Sequence, residues 1–140
     1  MTVVSIRFGA NNVHERLKAA AARRRTSSSA LAERLIDEGL RMEAHPMVLF
    51  RDGPSGRRPA LAGGPDVTEV VSAIVGGDVA VHVRSRRAAE LLGLTTAQVD
   101  AALAYYAEFT EDIDAERREN SDVAEREEML WRRRRELLSG

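Results

Sequence analysis

With 140 residues, 44% apolar content and no cysteine, the chain has room for one ordinary domain or two small ones, and disulfides and thiolate metal sites are excluded. Aromatic residues make up only 4%, so the core must be built from Leu, Val, Ile and Ala. The net charge of −1 conceals a gradient: residues 1–45 carry eight Lys/Arg and five Asp/Glu, residues 46–110 six and seven, and residues 111–140 seven and ten, so attraction to polyanions belongs to the start of the chain.

The first segment, Thr2-Val3-Val4-Ser5-Ile6-Arg7-Phe8, alternates strictly, with Val4, Ile6 and Phe8 on one face of an expected strand and Val3, Ser5 and Arg7 on the other. Helical patterns follow at once, so the economical partner for this strand is the same strand of a second copy. Two such strands make an antiparallel ribbon, which fits a DNA major groove. Gly9-Ala10-Asn11-Asn12 is a turn in which Asn12 or Asn11 caps the next helix through its side-chain oxygen. That helix is expected over residues 13–24, with Val13, Leu17, Ala20 and Ala21 on one face and Arg23-Arg24-Arg25 at the negative end of its dipole. Thr26-Ser27-Ser28-Ser29 supplies caps for a second helix that turns Leu31, Leu35, Ile36 and Leu40 inward and ends near Ala44, because His45 precedes Pro46. A unit closing near residue 45 is too small to stand without oligomerisation, so dimerisation is part of the expected fold.

This strand-helix-helix order over residues 2–44 resembles the ribbon-helix-helix family typified by the Arc, MetJ and CopG repressors. The resemblance implies that Val3, Ser5 and Arg7 read bases and that Ser27, Ser28 and Ser29 hold phosphate. The chemistry agrees: N–H groups at a helix start attract an anion and hydroxyls add donors. Arg7 suits guanine, whereas Val3 can only touch a thymine methyl. The competing reading is a capped helix beside a solvated edge strand.

In the middle segment, Met47-Val48-Leu49-Phe50 and Arg57-Arg58-Pro59-Ala60-Leu61 flank a Gly/Pro turn and predict a β-hairpin. Asp66-Val67-Thr68-Glu69 opens a helix to about Val75 through a capping box, while residues 76–83 read either as a loop or as a short strand at Val79–Val83. A short helix over Ser85–Leu92, a turn at Gly93-Leu94 and the cap Thr95-Thr96-Ala97-Gln98 give a helix-turn-helix layout, with Val99, Leu103 and Tyr106 on one face of its last helix. The same layout also serves plain helical hairpins.

Residues 48–120 resemble a small antitoxin-associated domain, on phrases such as Phe50-Arg51-Asp52-Gly53-Pro54, Ala60-Leu61-Ala62-Gly63-Gly64-Pro65-Asp66-Val67, Ala101-Ala102-Leu103-Ala104-Tyr105-Tyr106 and Ile113-Asp114. Such domains are fused behind ribbon-helix-helix modules beside toxins that look like PIN-domain ribonucleases. The implied role is that of antitoxin and operon repressor. Arg84, Arg86 and Arg87 could add a second phosphate contact, although in this domain class the motif more often serves folding and dimerisation.

From Asp112 to Leu138 there is no Gly or Pro and more than half the residues are Arg or carboxylate, so a long helix is expected. Val123, Leu130 and Leu137 recur every seven residues, as do Ala124, Trp131 and Leu138. This double stripe needs cover from the chain's own core, from a second copy as a coiled coil, or from another protein's groove. For an antitoxin, Val123, Leu130, Trp131, Leu137 and Leu138 would be the partner-binding set, with Trp131 among arginines as its anchor. Arg132 to Arg135 read as a solvated helix end.

His14, His45 and His82 lie far apart without a second ligand at metal spacing, Gly63-Gly64 lacks the Lys of a phosphate loop, and no catalytic constellation is legible, so neither metal nor cofactor nor enzymatic activity is expected. No apolar run reaches membrane-span length and the start lacks a signal-peptide layout, which leads to the expectation of a cytoplasmic protein. The expected fold is mainly α with a short N-terminal β-strand: a ribbon-helix-helix dimer (residues 1–45), a hairpin with a helix-turn-helix-like dimerisation unit (46–110), and a C-terminal helix for toxin binding or a coiled coil (111–140). The expected function is that of an antitoxin that binds operator DNA as a homodimer, represses its own operon and neutralises a PIN-like toxin. A stand-alone repressor without a toxin is the alternative, and a helical scaffold that touches no nucleic acid is the third reading.

Overall fold

In the computed structural model, which describes residues 1–140, six helices and one two-stranded antiparallel sheet follow one another as α1 (Val13–Arg23), α2 (Ser28–Ala44), β1 (Val48–Gly53), β2 (Gly56–Leu61), α3 (Val67–Ile74), α4 (Val81–Leu92), α5 (Thr96–Glu108) and α6 (Thr110–Ser139). The chain divides into two units, Met1–Ala44 and His45–Gly140.

The first unit is the contacting helix pair α1 and α2 with the segment that precedes it. The expected strand over residues 2–8 is absent: Met1–Gly9 has no regular secondary structure, and Val3, Val4, Ile6 and Phe8 are all exposed. The reason is the one that suggested a dimer, since nothing in this chain pairs with the segment. Phe8 stacks on His14 at 5.3 Å. The cap expected from Asn12 does not form either. Asn12 sits at the N-cap with φ 55°, in the left-handed region, rather than in the extended conformation from which a side chain reaches back to the first amides.

At its other end α1 closes with Thr26 N–H donating to Ala21 O and Arg25 N–H to Ala22 O, and Arg25 takes the left-handed position at φ 54°. Ser27 caps α2, its Oγ accepting from the Ala30 N–H at 3.0 Å. The inward line of α2 differs from the expected one. Leu31 and, one heptad on, Glu38 are buried, with Arg34 Nε 3.6 Å from Glu38, whereas Leu35, Ile36 and Leu40 are exposed. One neighbouring helix covers only one line of α2, so its wide apolar stripe is left half uncovered.

The second unit is built around α3. Its branched apolar residues fall at Val67, Val70, Val71 and Ile74, the spacing of a helical stripe, and all four are buried together with Thr68. At about 1.5–3 kcal/mol per buried branched side chain, this short helix is the chief hydrophobic anchor of the unit. Around it pack Val48 and Leu61 of the hairpin, Ala88 of α4, Val99, Ala102 and Tyr105 of α5, and Ile113 of α6. The inward face of α5 is thus Val99, Ala102 and Tyr105, while Leu103 and Tyr106 lie at its half-buried flank.

The hairpin runs in the register Val48↔Leu61 to Gly53↔Gly56, closed by Pro54-Ser55, with Gly56 at φ 113°. Asp66 stands at the N-cap of α3 but does not cap it, because its Oδ1 accepts from Arg51 Nη2 at 3.2 Å, and the same Nη2 donates to Gly64 O at 2.7 Å. Residues 79–83 form no strand: α4 already begins at Val81, so His82 lies in a helix rather than a loop. Gly93, at φ 67°, closes α4 with Leu94 N–H donating to Ala89 O at 2.8 Å. The capping box of α5 is complete, Gln98 N–H donating to Thr95 Oγ1 and Thr95 N–H to Gln98 Oε1.

Candidate functional site

The residues singled out by sequence fall on three surfaces of different character. Val3, Ser5 and Arg7 lie on the exposed, irregular segment Met1–Gly9. Ser27, Ser28 and Ser29 are grouped at the start of α2, where free amide N–H groups and a dipole end favour an anion. Ser27 spends one lone pair on its own helix, and the hydroxyls of Ser27 and Ser29 are on exposed residues. In the sequence Arg23, Arg24 and Arg25 precede the serines, separated from them by Thr26.

Of the three arginines considered for a second phosphate contact, Arg84 is engaged within the fold. Its guanidinium donates to Ile74 O through Nη1 and to Val79 O through Nε at 2.5 Å, closing the C-terminal end of α3. Arg86 and Arg87 are exposed on α4.

The third surface is α6. Its first turns belong to the core: Ile113 is fully buried, Asp114 Oδ1 accepts from Tyr106 OH at 2.8 Å, and Glu116 accepts from Thr68 Oγ1. Tyr106 has its pKa raised, first by this hydrogen bond to the Asp114 carboxylate and then by burial. From Arg118 to the end every residue is exposed. At 1.5 Å per residue this free part of the helix is about 33 Å long. It brings Val123, Leu130, Trp131, Leu137 and Leu138 onto one side, and all five are exposed. Arg135 lies over the Trp131 ring at 4.8 Å, holding the indole against the helix. Of the three covers considered for this stripe, the chain's own core is ruled out by that exposure.

Sequence reasoning missed two charged features. Arg58, in the middle of β2, is buried, with Nη1 3.9 Å from Glu116 and Nη2 3.7 Å from Glu119. Alternation along β2 offered no sign of this, because Arg57 and Arg58 are adjacent and only the tertiary fold selects which is covered. The other is His45, whose Nε2 lies 2.6 Å from Glu108 Oε2 while its ring meets Tyr105 and Phe109 edge-on at 5.2 and 5.9 Å. Both features tie elements of the second unit together.

Neither protein-family models, nor curated proteins, nor solved structures contain a match to this chain.

Proposed function

We propose that the protein is a homodimeric DNA-binding antitoxin: residues 2–8 of two copies pair into a ribbon that enters operator DNA, the Ser27–Ser29 helix start holds phosphate, and the free part of α6 occupies a partner toxin, such as a PIN-like ribonuclease. The observation that carries the reading is the state of the first unit. An alternating segment with Val4, Ile6 and Phe8 exposed stands beside an α2 whose Leu35, Ile36 and Leu40 are equally uncovered. A small helical pair with this much apolar surface in water calls for a second copy. Pairing two alternating segments would bury one apolar face on the helices and leave Val3, Ser5 and Arg7 outward on the other.

Titration of the full chain onto DNA from upstream of its own reading frame tests this. Binding should weaken steeply with salt as phosphate contacts release counterions. Arg7→Ala should cost about 1–3 kcal/mol of operator affinity if it contacts a guanine edge, and an unchanged titration removes Arg7 from the reading set. Ending the chain after Asn120 spares every buried residue of α6, so this truncation should keep DNA binding and lose co-purification with the toxin. Retained co-purification would show that the arm is not the clamp.

A further inference from the structure

Two charges stand inside the apolar stripe of α6. Glu127 has Val123, Ala124, Leu130 and Trp131 as its helical neighbours three and four residues away, and Arg134 has Leu130, Trp131, Leu137 and Leu138. Ion pairs on a helix form at those spacings, as Glu128 and Arg132 do here at 2.5 Å, so neither Glu127 nor Arg134 can be neutralised along its own helix. They are one heptad apart and therefore share the same line of the helix to within about 20°. Whatever covers Leu130 and Trp131 must face a carboxylate on one side of them and a guanidinium on the other.

We infer that the occupant of this face is α6 of a second copy, running antiparallel about a two-fold axis between Leu130 and Trp131. That axis sets Glu127 against Arg134 of the other copy twice over, Val123 against Leu138, and Leu130 against Trp131. The in-register parallel pairing and the two nearest antiparallel ones fail on charge. Parallel in-register helices bring Glu127 onto Glu127 and Arg134 onto Arg134. Moving the antiparallel axis half a heptad either way places Glu127, or Arg134, opposite its own copy. Charges within an apolar seam set orientation and register more than strength. The seam from Val123 to Leu138 spans about 22 Å, so the pairing is short and exchangeable, as a face that later yields to another protein requires. The inference stands on the charge pattern of α6 and does not depend on operator binding or toxin capture.

The cysteine-free chain allows a direct test. Two full-length variants of different mass, Val123→Cys and Leu138→Cys, both at exposed positions, are mixed and oxidised. The disulfide-linked heterodimer should exceed either homodimer several-fold. Introducing Glu127→Arg into both chains should abolish the heterodimer, and adding Arg134→Glu to both should restore it, since the exchanged charges again face each other. Homodimers from the single variants would mean parallel pairing and overturn the inference. So would no cross-link at all, the result expected if the face is reserved for another protein, or a double charge exchange that fails to rescue.

Discussion

At Glu116, burial and pairing pull in opposite directions. Its pKa is raised, first by burial, against the lowering effects of the Thr68 hydroxyl and the Arg58 guanidinium. A carboxyl with a folded-state pKa above its unfolded value binds the proton more readily when folded. Its contribution to stability is therefore fully present below the ordinary carboxylate range and is lost as pH rises through the raised value. Glu116→Gln keeps an acceptor for Thr68 and cannot titrate. The stability of the natural chain minus that of this variant, from urea melts, should fall as pH rises from about 4.3 and then level off. A difference that grows with pH would mean that the charge-charge attraction of Arg58 for Glu116, at 3.9 Å, outweighs desolvation. Neither residue was legible as a partner in the sequence. They are more than fifty positions apart, and only the packing of α6 on α3 and β2 brings them together.

Helix ends show how far the sequence speaks for elements. α1 and α4 stop with the same reversal, a left-handed residue followed by an amide that reaches back five residues: Thr26 to Ala21 in one, Leu94 to Ala89 in the other. In α4 that residue is Gly93, and a turn there is readable because glycine adopts φ 67° without a Cβ penalty. In α1 it is Arg25, at φ 54°, where a side chain is disfavoured and no residue type announces the turn. The end of α1 was still legible from the run of arginines and the serines beyond it, and α5 from its Thr95–Gln98 box, because local chemistry decides such boundaries. The Asp66 cap was misread because Arg51, fifteen residues away, takes the carboxylate. Likewise Leu35, Ile36 and Leu40, expected to face inward, are exposed, because an apolar stripe does not say whether its cover lies in the same chain. The Arg25 conformation carries its own prediction. Arg25→Gly should stabilise the first unit by about 0.5–1 kcal/mol, less than the full left-handed penalty because glycine also frees the unfolded chain. Slower amide exchange through α1 and α2 in the variant would register it, and faster exchange would show that the Arg25 side chain holds the turn.

For the whole molecule, the two units differ in how much apolar surface each covers by itself. The second unit buries the whole apolar face of α3, Val67, Val70, Val71 and Ile74, and completes a core from Val48 to Ile113. The first buries Ala21 and Leu31 as its only apolar residues below one-tenth exposure, with Glu38 beside them, and leaves Val4, Ile6, Leu35, Ile36 and Leu40 in water. So small a covered core does little to offset the entropy of ordering its chain, so in the proposed dimer the persistence of this unit is linked to association. For a dimer that unfolds on dissociation, the open fraction falls as the inverse square root of protein concentration, so a hundredfold rise in concentration should slow exchange of the α2 amides about tenfold. The amides of α3, protected within a single chain, should not respond. Hydrogen exchange read by mass spectrometry across that concentration range separates the two units in one experiment. Independence from concentration in α2 would mean that residues 1–44 hold together as a monomer, and the paired ribbon, together with the operator contact built on it, would lose its basis.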